Sequence, residues 1–141
     1  MDLANLTIWR NALLSLGAYH LSQWVAVVLV WPWGFVSGNI SYFDGAAVLL
    51  MAFVTYVPYI AGGAFAGALI ALLTTGQNRW QWSLVPAAIA LALFPLGRTR
   101  FGDLSLFSEL VLRFAPGIYI AAVTVGCAYW VSRWSGTNPN S

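Results

Sequence analysis

Long apolar stretches alternate with short polar ones along the whole chain. Four stretches are both apolar and long, at residues 11–33, 45–73, 80–96 and 109–131. Because the hydrocarbon core of a bilayer is about 30 Å thick, roughly 20 helical residues are needed to cross it. The pattern therefore predicts an all-α integral membrane protein, a single domain folded as a four-transmembrane-helix bundle.

The segments between these stretches have the composition of turns and loops. They are WPWGFVSGNISYFDG, TTGQNRWQ and PLGRTRFGDLSLFSE, which are rich in glycine, proline and polar residues. Tryptophan prefers the boundary between membrane and water. All of the eight tryptophans except Trp24 fall near a predicted span end, which supports the same division: Trp9, Trp31, Trp33, Trp80, Trp82, Trp130 and Trp134.

Composition narrows the class of protein further. Hydrophobic residues make up 60% of the chain and charged residues 7%, whereas soluble domains carry about 25% charged residues. The net charge of +2 is too small for a basic surface that binds nucleic acid, so no nucleic-acid partner is expected. The one cysteine, Cys127, excludes an intrachain disulfide and a cysteine-based metal cluster.

The arginines predict an orientation in the membrane. With both termini in the cytoplasm, the inner segments hold Arg10, Arg79 and Arg133, and the outer loops hold Arg98 and Arg100. The positive-inside rule favours this arrangement. We therefore expect a bacterial inner-membrane protein with both termini cytoplasmic, whose partners are the lipid bilayer and other membrane subunits or copies of itself.

The first predicted span contains the single histidine of the chain. His20 follows Arg10 by ten residues, about 15 Å along a helix, which places it near the bilayer midplane. Gln23 lies within about 60° of His20 on the helix surface. Such a histidine is a candidate for a proton relay, for an axial ligand of haem or chlorophyll, or for a substrate contact. The alternative is a neutral imidazole that hydrogen-bonds a neighbouring helix.

The second predicted span carries the strongest packing pattern. Small and polar side chains form a stripe along one face of the helix, and GAFAG at residues 63–67 is a GxxxG motif, which lets two membrane helices approach closely. Pro58 removes a backbone donor and is expected to kink this helix. The candidate contact residues of the span are Thr55, Tyr56, Tyr59, Gly62, Gly63 and Gly67.

The fourth predicted span begins with an ion pair on one helix face. Glu109 and Arg113 are four residues apart, and Arg98 and Arg100 precede them in the loop. These four residues are candidates for binding an anionic headgroup or substrate. The alternative is a solvated loop followed by an ordinary ion pair at a helix start.

No catalytic motif accompanies these features. The chain has no G-x-S-x-G, no H-E-x-x-H and no phosphate-binding glycine loop. The favoured function is therefore a non-enzymatic helix-packing subunit of a homo- or hetero-oligomeric membrane complex. Three alternatives stay open. A small transporter or channel would have a path near His20 and Pro58, lined by His20, Gln23, Thr55, Tyr56 and Tyr59. The others are a haem- or pigment-binding membrane subunit and, as the least favoured, an enzyme that acts on lipid at the Arg98–Arg113 region.

Overall fold

The computed structural model describes residues 3–37, 53–76, 78–96 and 106–136 of the chain. All regular structure within these residues is helical, which confirms the all-α prediction. The α-helices are α1 (Leu3–Ser37), α2 (Val57–Leu73), α3 (Leu84–Leu93) and α4 (Leu106–Gly136). Two short 3₁₀ helices, Arg79–Ser83 and Phe94–Leu96, flank α3.

Contacts between the helices define their directions. The Arg10 end of α1 meets Thr75, which follows α2, whereas Trp33 at the other end meets Val54, so these helices are antiparallel. Helix α4 runs parallel to α2, because Gly63 lies against Ile120 and Gly67, one turn later, lies against Ala128. It runs antiparallel to the segment that contains α3, because Gly117 lies against Ala90 whereas Tyr129 lies against the earlier residue Trp80. The described segments thus alternate in direction, up, down, up and down.

Helix α2 packs between α1 and α4, and glycines allow both contacts to be close. A Cβ atom on Gly62 would lie 2.6 Å from the carbonyl oxygen of Ser22 in α1. A Cβ atom on Gly63 would lie 2.8 Å from Oγ1 of Thr124 in α4. A Cβ atom on Gly67 would collide with the Thr124 carbonyl oxygen. Only glycine lets the three backbones come this near, which is the established use of small residues between membrane helices.

Polar side chains of α1 donate hydrogen bonds to the turn that follows α2 and to the 3₁₀ helix Arg79–Ser83. Asn11 Nδ2 donates a hydrogen bond to the Thr75 carbonyl oxygen at 3.1 Å. Ser15 Oγ donates to the carbonyl oxygen of Trp82 at 2.7 Å. Asn11 and Ser15 are buried, so both polar groups are withdrawn from the surroundings and satisfied within the chain.

Two of the described helices are long enough and apolar enough to cross a membrane, in the segments Ala4–Val30 and Leu106–Ser135. Only 22% and 39% of the most apolar stretch of each helix is buried inside the structure, whereas the core helix of a soluble protein is mostly buried. Large apolar side chains such as Leu13, Val28 and Ile118 are exposed instead. These features indicate a membrane protein.

The structure supports two of the four predicted spans, and a four-span bundle is not confirmed. The expected first and fourth spans, residues 11–33 and 109–131, lie within α1 and α4. The expected second span began at residue 45, but residues 45–52 lie outside the described ones, and α2 has 17 residues because the chain turns at Tyr56 before Pro58. The expected third span, residues 80–96, is divided between α3, with ten residues, and the two 3₁₀ helices.

Candidate functional site

His20 lies on the outer surface of α1. Its Nε2 atom accepts a hydrogen bond from Nε1–H of Trp24, one turn later, at 3.2 Å, and the two rings meet edge to face. Both side chains are exposed, and His20 lines none of the three cavities described below. The imidazole atom that would ligate a haem or a chlorophyll therefore already accepts a hydrogen bond from within its own helix.

The predicted packing residues of the second span meet partners inside the chain. Gly62 faces α1, whereas Gly63 and Gly67 face α4. Tyr59 packs edge to face against the ring of Phe94, with centroids 5.9 Å apart. Thr55, in the helical residues 53–55, is exposed. The GxxxG motif thus brings two helices of one molecule together.

A cavity of 340 Å³ joins residues from both ends of the sequence. Gln23 on α1, Tyr56 before α2 and Arg113 on α4 line it together, although they come from three separate predictions. The remaining lining residues escaped the sequence analysis, since no local pattern marks residues that only the fold brings together: Tyr19, Leu93, Phe94 and Leu112.

The ion pair at the start of α4 is formed as predicted. Nη2 of Arg113 lies 3.3 Å from Oε1 of Glu109, and both side chains are about two-fifths exposed. Arg113 faces the 340 Å³ cavity, and Glu109 is not among its lining residues. The other two predicted anion-binding residues, Arg98 and Arg100, lie outside the described residues.

A larger apolar groove of 650 Å³ runs along the outside of α3 and α4. Small side chains form much of its lining, and Gly126 has no atom within 4 Å of the position that a Cβ would take. The spacing of Ala122 and Gly126, four residues apart, is a signal that could have revealed this face from the sequence. The lining residues are Trp80, Leu84, Ala87, Leu91, Ile118, Ala121, Ala122, Val125, Gly126 and Tyr129.

A third, smaller cavity lies beside Pro58. It measures 190 Å³ and is lined by Leu29, Pro32, Trp33 and Val57 in addition to Pro58. Nε1–H of Trp33 donates a hydrogen bond to the Val54 carbonyl oxygen at 2.8 Å at this end of the bundle. The surroundings of Pro58 are thus apolar, and His20 is not part of them.

Metal-binding chemistry has no support in the described part of the chain, where no three His, Cys, Asp or Glu side chains come together. Comparison with known protein families, with curated proteins and with solved structures finds no match to the chain. The functional argument therefore depends on the geometry of the groove and of the cavities.

Proposed function

We propose that this protein is a non-enzymatic subunit of a membrane complex, which packs against a membrane helix of another subunit or of a second copy through the groove between α3 and α4. The groove is the observation that carries the proposal. Its lining consists of apolar side chains, including three alanines and a glycine. In a bilayer, close contact between small residues is what makes helices associate, because lipid is as apolar as the helix surface.

The proposal includes four membrane spans. Ten α-helical residues at 1.5 Å and eight 3₁₀ residues at 2.0 Å give Arg79–Leu96 a length of about 31 Å if its three parts are collinear. Ser83 and Phe94, at the two junctions, have right-handed helical dihedral angles. Helix α2, about 26 Å long, also comes close to the thickness of the hydrocarbon core, which is about 30 Å. The alternating directions of the four segments also suit four crossings.

The distribution of arginines supports the proposed orientation. Arg10 donates to Oγ1 of Thr75, and Arg79 donates to Oγ of Ser135 near the C-terminal end of α4. Arg133 lies over the ring of Tyr129 in the same region. Three arginines therefore share one end of the bundle, which the positive-inside rule assigns to the cytoplasm of a bacterial inner membrane.

A small transporter is a second candidate, which one observation favours. Gln23 and Tyr56, two residues of the path predicted from the sequence, line the same 340 Å³ cavity. A transport path near that cavity predicts that Gln23→Leu abolishes substrate flux in vesicles while the particle stays monomeric. The packing proposal predicts an oligomer that does not depend on Gln23.

The mass of the purified particle in nanodiscs tests the packing proposal. We expect a particle of more than one chain, and we expect Gly126→Leu to reduce its mass because the leucine fills the groove. Gly17→Leu on α1 is the matched control, since Gly17 also has open space around its Cβ position but lies outside the groove. A monomeric wild-type particle, or equal masses for the two variants, would contradict the proposal. A visible absorption band in the same sample would instead favour a pigment-binding subunit.

A further inference from the structure

The 340 Å³ cavity is lined by an amide whose hydrogen-bonding groups are unused. Within the part of the chain that the structure describes, the side chain of Gln23 makes no hydrogen bond. Gln23 is half-buried, so its amide can both donate a hydrogen bond to a ligand in the cavity and accept one from it. The cavity therefore suits a ligand with a polar group opposite Gln23.

Arg113 supplies a positive charge on the cavity wall. Its pairing with Glu109 engages one guanidinium nitrogen, Nη2, at 3.3 Å. A guanidinium carries five N–H donors in a planar fork, which suits the oxygens of a phosphate. Because Glu109 does not line the cavity, the side of Arg113 that faces the cavity favours an anion.

Three apolar side chains line the cavity beside Tyr19 and Tyr56, and the cavity lies at a suitable depth for a headgroup. Leu93, Phe94 and Leu112 form this part of the wall. Arg113 precedes Arg133 by 20 residues on α4, which corresponds to about 30 Å, the thickness of the hydrocarbon core. With Arg133 at one membrane surface, Arg113 lies at the other, where headgroups meet acyl chains.

We propose that this cavity binds the phosphate headgroup of an anionic phospholipid. The guanidinium of Arg113 holds the phosphate, the amide of Gln23 donates to a headgroup oxygen, and Leu93, Phe94 and Leu112 contact the first part of an acyl chain. The volume, near the lower limit of known ligand pockets, suits one headgroup. The inference rests on the proposed membrane placement and is independent of the groove, which lies elsewhere on the bundle.

Native mass spectrometry of the protein in mild detergent tests this site. Phosphatidylglycerol is titrated as the anionic lipid, and phosphatidylcholine as the zwitterionic reference. We expect one phosphatidylglycerol to be retained in preference. Arg113→Gln should weaken that binding about tenfold or more, as the loss of a charge-assisted hydrogen bond implies. Arg10→Gln, which removes the same charge at the other end of the bundle, should leave it unchanged.

The amide of Gln23 has its own pair of variants. Gln23→Leu keeps the volume of the side chain and removes its hydrogen-bonding groups, so it should weaken phosphatidylglycerol binding about fivefold, the effect of one neutral hydrogen bond. Gln81→Leu, at an exposed position of the 3₁₀ helix Arg79–Ser83, is the control and should have no effect. Equal binding in both variants would overturn the role of Gln23.

Glu109→Gln should change phosphatidylglycerol binding in the direction opposite to Arg113→Gln. It removes the anion that competes for Arg113, so phosphatidylglycerol should bind more tightly. Weaker binding, equal retention of the two lipids, or no effect of Arg113→Gln would overturn the proposal. Displacement of the lipid by millimolar inorganic phosphate would overturn it too, since the site would then take free phosphate. The particle mass in the same spectra reports separately on the packing proposal.

Discussion

The contact between α2 and α4 permits a quantitative prediction about two glycines. Gly67→Ala places a methyl group against the Thr124 carbonyl oxygen, so the two helices must separate. Overpacking of this kind costs about 1–3 kcal/mol. Alanine also gains about 0.5–1 kcal/mol over glycine inside a helix. We therefore expect Gly67→Ala to lower the free energy of unfolding by about 1 kcal/mol, the difference between the midpoints of these two ranges.

Gly17→Ala on α1 is the control for this experiment, and its expected effect has the opposite sign. Gly17 is also in a helix, but no neighbouring atom lies within 4 Å of its Cβ position, and it lies outside the groove. Only the gain of about 0.5–1 kcal/mol in helix stability remains. Reversible unfolding in mixed micelles, followed by circular dichroism and tryptophan fluorescence, measures both variants. Equal effects of the two substitutions would refute the inferred close contact between α2 and α4.

Two further predictions concern polar contacts. Asn11→Leu should lower the free energy of unfolding by about 0.5–1.5 kcal/mol in the same assay, because it removes the hydrogen bond that the buried Asn11 donates to the Thr75 carbonyl oxygen. Asn5→Leu, at an exposed position, should change it little, and equal losses would contradict the contact. Glu109→Gln should change the free energy of unfolding by less than about 1 kcal/mol, because the pair with Arg113 is partly exposed; a larger loss would mean that the pair holds the start of α4.

The sequence contained enough information to predict helices, and less to predict how they pack. Long apolar runs with few charged residues must satisfy their backbone hydrogen bonds within the segment when they cross a membrane as a helix, so α1 and α4 were predictable. The turn at Tyr56 was harder to place, because Pro58 is compatible with a kink inside one helix or with the first turn of a new one. The structure shows the second arrangement.

The candidate site could be predicted only in parts. Gln23, Tyr56 and Arg113 were each identified from local patterns, but their common cavity depends on how α1 packs against the other helices. Helical spacing alone did not show that the side of α1 bearing Asn11, Ser15 and Ser22 is the buried one. Because this side faces the other helices, His20 lies on the exposed surface of α1. The GxxxG motif indicated a close helix contact without indicating whether the partner helix belongs to the same chain.

The central claim is that the chain crosses the membrane four times with both termini on one side. Cysteine accessibility in a Cys127→Ser background tests it, with an impermeant maleimide applied to intact cells and to inverted vesicles. Four spans predict that Asn5→Cys and Asn78→Cys are labelled only in inverted vesicles, and Leu106→Cys only in intact cells. If only α1 and α4 cross the membrane, Asn78→Cys would be labelled from the same side as Leu106→Cys, and that result would contradict the account.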